Sequence, residues 1–201
     1  MPPILPATGL MLLVGAVPVL HAENYTNVTV TPSTEVNMQF YDLNTQTGTS
    51  LQQQLQHSAP HGAPGRRAVG KAVYQLSWEL DTTQRASVCQ LYGVKIKTRI
   101  ALTMPNWLQL ASQPADQQGQ WTHFLGTMQE YEGQHKGMVQ STASQLGQTL
   151  ATLPVNASCQ ALQIEADQAG QSALQQLREQ VQRYQQESGQ GHSLGMKLPA
   201  L

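Results

Sequence analysis

Val94-Lys-Ile-Lys-Thr-Arg-Ile-Ala-Leu102 alternates without a break. Val94, Ile96, Ile100 and Leu102 share one face with Thr98, and Lys95, Lys97 and Arg99 lie opposite. A period of two with one apolar and one charged face marks a half-buried strand of an antiparallel sheet. An upstream stretch reads the same way: Tyr74, Leu76, Trp78 and Leu80 alternate with Gln75, Ser77, Glu79 and Asp81. The basic row is then a solvated sheet face rather than a ligand surface. Pro105 has no N–H to give a ladder and is expected to end the second strand. Further upstream, Met38 to Leu43 is a short apolar and aromatic run that suits a strand. Ser50 to His57, with Leu51 and Leu55 four residues apart, suits a short helix. Ser58-Ala-Pro-His-Gly-Ala-Pro-Gly65 carries two prolines and two glycines and opens a loop over 58–70, with His57 and His61 exposed at its edge.

Downstream the period changes from two to 3.6. Trp121, Phe124, Leu125, Met128, His135, Met138, Val139, Thr142, Leu146 and Leu150 follow one helical stripe. Pro154 and Asn156 interrupt it, and Ser158 is a suitable N-cap for a second helix. Leu162, Ala166, Ala169, Ala173, Leu177, Val181 and Tyr184 form that helix's stripe. Two long helices joined by a short loop pack as an antiparallel hairpin. The expected fold class is therefore α+β: a small antiparallel sheet packed with a C-terminal antiparallel pair of long helices. Gly133 and Gly137 sit one turn apart in the first helix, at a cost of about 1 kcal/mol each against Ala. Close approach of another backbone is the expected compensation.

The chain has 201 residues, and only 11% of them are charged. Thirty glutamines take the place of the missing Lys and Glu, most visibly on the polar faces of the two helices. A net charge of −1 argues against nucleic acid as a partner, because non-specific affinity rests on a basic footprint. A mean hydropathy of −0.34 argues against a polytopic membrane protein. Residues 1–22 read as an export signal. Leu10 to Leu20 is apolar but shorter than the roughly 20 residues a bilayer requires, and Ala22 offers a small residue for cleavage. That leaves a single domain over 23–201, periplasmic or secreted, with no membrane association after cleavage. In an exported chain the pair Cys89 and Cys159 reads as a disulfide, with two buried thiols as the alternative.

The segment with chemical interest is Glu130-Tyr131-Glu132-Gly133-Gln134-His135. In a zinc protease helix of the form His-Glu-x-x-His, two histidines one turn apart bind a metal. The glutamate polarises the metal-bound water and shuttles its proton. Glu132 and His135 stand where that glutamate and second histidine belong, while Tyr131 stands for the first histidine. Alone, Glu-x-x-His has little specificity, and a semi-buried histidine on an apolar stripe explains it better.

The order of motifs adds to this. Tyr41-Asp42, Trp78, Cys89, Met104-Pro105-Asn106-Trp107, Trp121, Glu132, His135, Cys159 and Leu162 follow one another. In this order the chain resembles the domain of unknown function 922 family, described as predicted secreted zinc-dependent proteases. The resemblance runs from about Phe40 to Gly191. It implies a zinc cofactor held by three histidines, two from His-Glu-x-x-His and a third from a closing Tyr-Asp-x-x-Thr-x-His-Gly. Here the closing segment is Tyr184-Gln-Gln-Glu-Ser-Gly-Gln-Gly191. Ser188 stands for Thr and Gln190 for the third histidine, with His192 two residues beyond. The departures at Tyr131 and Gln190 thus fall on the metal ligands. A neutral phenol is a poor ligand near pH 7.

Three expectations follow. The first is an exported metallopeptidase-like domain that is inactive or weakly active, with zinc absent or weakly held, used for binding a protein or peptide partner or for structure. The second is an active zinc peptidase with a rebuilt site, in which His135 and His192 hold the metal, Tyr131 or Glu130 completes it and Glu132 is the base. The third is a structural envelope protein whose Gln-rich helix pair forms a partner surface. Nucleophilic catalysis lacks a Gly-x-Ser-x-Gly, and there is no Gly-rich phosphate loop.

Overall fold

The computed structural model describes residues 27–61 and 67–198. The proposed export signal lies outside them. In chain order the elements are β1 (Thr29–Leu43), α1 (Leu51–Ser58), β2 (Lys71–Arg85), β3 (Val88–Trp107), α2 (Ala115–Ala151) and α3 (Cys159–Glu187), with short 3-10 turns at Thr45–Thr47, Leu110–Ser112 and His192–Leu194. The α+β plan is the expected one, with α2 and α3 packed on each other and on a three-stranded sheet.

The sheet order is β1-β3-β2. β2 and β3 form the antiparallel pair that their alternation indicates, in register from Lys71 opposite Thr103 to Arg85 opposite Val88. β1 lies on the other side of β3 and runs parallel to it, so the sheet is mixed. A parallel neighbour needs a crossover, and here the crossover contains α1 and β2. β1 is also much longer than the run Met38 to Leu43. Most of it is an exposed edge, so its Thr29–Asn37 half carries no alternation to read.

β3 does not stop at Pro105 but continues to Trp107. Its β2 neighbour has already ended opposite Thr103, so beyond that point only β1 lies beside it. A missing N–H therefore leaves no gap on the β2 side, as in the edge positions where proline is tolerated. Across the polar face, Lys95 pairs with Asp81 (2.7 Å) and Glu79 (3.4 Å), Lys97 with Glu79 (3.5 Å), and Arg99 with Glu35 (3.2 Å). The basic row is thus an exposed ion-pair ladder, in which each pair contributes little stability on its own.

The helices cover the other face in three successive clusters. At one end, Leu76, Val94 and Ile96 pack with Leu146, Leu150, Leu162 and Ala166. In the middle, Ile100 meets Val139, Leu177 and Val181. At the far end, Leu43, Leu51, Leu55, Met104 and Trp107 enclose Trp121, Phe124 and Met128. α1 starts at a capping box. The Ser50 hydroxyl accepts from the Gln53 N–H (3.2 Å), and the Gln53 side chain accepts from the Ser50 N–H (3.1 Å). Ser158 caps α3 as expected, accepting from the Ala161 N–H at 3.1 Å.

The expected disulfide is present. Cys89 and Cys159 are bonded, with Cα atoms 5.0 Å apart and a sequence separation of 70. It ties the start of β3 to the first turn of α3. The close approaches expected at Gly133 and Gly137 are absent, because both glycines are exposed and a Cβ would meet nothing within 4 Å. The face of α2 that carries them points to solvent. Close approach occurs instead at Gly147, where a Cβ would sit 2.8 Å from Val30, and at Gly170, where it would fall on the Trp78 indole. That indole lies across α3 and donates to Asp167 (2.9 Å).

Candidate functional site

α2 passes from the far cluster to the middle one between Met128 and Val139. Over that interval its buried side chains are Tyr131, Glu132 and His135 rather than aliphatic residues. Residues 131 and 135 are one turn apart, and residue 132 lies beside them, so all three face inward together. Glu132 and His135 are each 4% exposed. The His135 Nδ1 lies 2.9 Å from the Glu132 carboxylate, a buried pair one turn long. An ionised carboxylate can only accept, so this geometry selects Nδ1–H on the imidazole. The other ring nitrogen, Nε2, is buried with no hydrogen-bond partner.

An aromatic cage surrounds the imidazole. Its ring centroid lies 4.7 Å from Tyr131 and 5.3 Å from Tyr184, edge-on to both, and the two phenols stack 5.3 Å apart. Tyr184 comes from the last turns of α3. The chain then reverses through Gly189, Gln190 and Gly191, all at positive φ, and Ser188 pins the reversal by donating to the Tyr184 carbonyl at 2.6 Å. The Tyr131 phenol is pushed up to about 12, first by burial, then by the charge of Glu132 and by Tyr184, with the Ser188 hydroxyl acting weakly the other way. Burial and the charges of Glu130 and Glu132 also raise Tyr184. Both rings are neutral phenols at physiological pH.

The cage opens onto a cavity of about 630 Å³, within the range of small-ligand sites. Tyr131, Glu132, His135, Gln190 and His192 all line it. The fold thus brings the candidate residues of α2 and of the C-terminal reversal to one place. His192 is exposed in its 3-10 turn, whereas His135 is buried. Cys89 and Cys159 lie at the opposite end, in their disulfide. The remaining wall includes Arg67, Lys71 and Lys197, none of which the sequence pattern singles out. They come from the loop before β2, the first residue of β2 and the tail after α3, so only the fold assembles them.

The zinc ion that the family resemblance implies can be tested against these side chains. A catalytic zinc takes three protein ligands and keeps one position open. Here the wall supplies one free nitrogen on the buried His135, a carboxylate already bonded to the same ring, a phenol held neutral, and two exposed side chains of the reversal, the Gln190 amide and the His192 imidazole. This donor set does not fit the ion. Among the described residues, no group of three or more His, Cys, Asp and Glu side chains is placed to hold a metal.

No curated protein and no solved structure matches the chain. A family model does: it covers residues 38–193, from the middle of β1 through the cage and the reversal after α3. With that match spanning most of the chain, the protein belongs to the family described as bacterial protein of unknown function (DUF922).

Proposed function

We propose that this protein is a non-catalytic, ligand-binding member of its family, exported to an oxidising compartment, in which the cavity over His135 is used for binding rather than hydrolysis. One observation carries the reading. Among the described residues His135 is the one buried imidazole, and the rings packed against it are two neutral phenols, where a hydrolytic zinc site needs further imidazole or carboxylate ligands. Glu132, the residue that would serve as base, spends its carboxylate on His135 instead of facing a metal-bound water. The stacked phenols and the Ser188 bond to the Tyr184 carbonyl hold the wall of the cleft together. Export accords with the disulfide, since such bonds persist in oxidising compartments.

The test uses protein purified without a tag. Elemental analysis should find far less than one zinc per chain, and incubation with unstructured peptides should give no chelator-sensitive cleavage. Stoichiometric zinc together with cleavage that Glu132→Gln abolishes would overturn the reading in favour of a rebuilt peptidase site.

A further inference from the structure

We propose that the cavity beside His135 binds a carboxylate carried on an apolar body. This rests on the non-catalytic reading above and names the ligand class. Three observations meet in one place. Arg67, Lys71 and Lys197 line the cavity, and among the described residues none of the three makes an ion pair. They are three of only 11 Lys and Arg in the whole chain. The one acidic side chain in the wall, Glu132, is buried and bonded to His135, and it makes no ion pair with any of the three.

The second observation is the His135 Nε2, buried in the same wall and lacking a partner. With the proton on Nδ1, Nε2 is an acceptor, so a donor N–H or O–H on the body of the ligand, and not its carboxylate, recovers the cost of leaving it unpaired. The third is the character of the remaining lining: Val69, Met128 and Val181 offer aliphatic and thioether surface beside the cations. An inorganic anion would satisfy the charges and leave that surface wet. A neutral apolar molecule would cover the surface and leave the charges unmet. A carboxylate on an apolar body satisfies both, and a volume of about 630 Å³ admits one of fatty-acid or dipeptide size.

Two sources share this chemistry, a medium-chain fatty acid and the C-terminal end of a peptide. Titration calorimetry on the purified chain separates them with decanoate and acetyl-phenylalanyl-leucine, each run beside its uncharged amide. At least one acid is expected to bind about tenfold or more tighter than its amide, in line with a charge-assisted hydrogen bond. The acid that shows this preference identifies the source. Lys71→Met with Lys197→Met should abolish the preference while the amide's own affinity changes little. Equal affinity for acid and amide, no binding of either acid at millimolar concentration, or a preference that survives the double variant would each overturn the assignment. The comparison of acid with amide is made on the unaltered protein, so it does not depend on how the variant folds. Chelator-sensitive cleavage of the peptide would instead overturn the non-catalytic reading, whatever the acid preference.

Discussion

Glu132 and His135 are buried together, and each supplies the other's partner. Removing the carboxylate leaves the His135 N–H buried without an acceptor. Glu132→Ala is therefore expected to destabilise the fold by about 1–3 kcal/mol, measured by urea denaturation against the unaltered chain. The tyrosines make a pH prediction. Tyr131 ionises at about 12 in the folded protein and near 10.0 when unfolded. The unfolded chain therefore releases this proton first as pH rises, and the stability linked to it is intact below pH 10 and is lost progressively between 10 and 12. Phenolate absorbance should show Tyr131 titrating late, and a Tyr131→Phe variant should soften the alkaline fall in denaturation midpoint. At this scale the sequence was informative where a motif existed. Glu-x-x-His pointed to Glu132 and His135, and the register of the closing motif pointed to Gln190. It was uninformative about Arg67, Lys71 and Lys197, which share no helix or strand face and meet only through tertiary folding.

Among the elements, the alternation of β2 and β3 and the long stripes of α2 and α3 were legible because each has one wet and one dry face. The Thr29–Asn37 half of β1 and its parallel pairing were not, since an exposed edge strand has no buried face to impose a period. The glycines gave the sharpest difference. Helical spacing suggested crowding at Gly133 and Gly137, but which face of a helix meets a neighbour depends on its partners, and the crowded positions are Gly147 and Gly170. This yields opposite predictions for one kind of substitution. Gly133→Ala and Gly137→Ala should each stabilise by up to about 1 kcal/mol, through helix propensity and a less flexible unfolded chain. Gly170→Ala should destabilise by about 1–3 kcal/mol, because the Trp78 indole must move. Thermal melts of the three variants, read together, check both signs.

Over the whole molecule, the shortage of charge takes a definite form. Six of the 23 charged residues form the ion-pair ladder over β1, β2 and β3 and three form the cationic wall of the cavity, while α2 and α3 carry ten set among many glutamines. The disulfide closes a 70-residue separation at the end of the fold away from the cavity. The chain-entropy account assigns it about 4 kcal/mol, so reduction should lower the melting temperature markedly. If the two ends of the helix pair are supported by separate clusters, ligand binding at the cavity should survive reduction well below that temperature.

On the non-catalytic reading proposed above, positions 131 and 190 lack imidazoles that a zinc site in this cleft would need. The residue 131 ring already lies 4.7 Å from His135, and Gln190 lines the same cavity. Competition titration of zinc against a chromophoric chelator, with the unaltered chain beside Tyr131→His plus Gln190→His, tests this most directly. Weak or no binding is expected of the former and one site of the latter, tighter by orders of magnitude. One tight site in the unaltered chain, or no gain in the double variant, would contradict it.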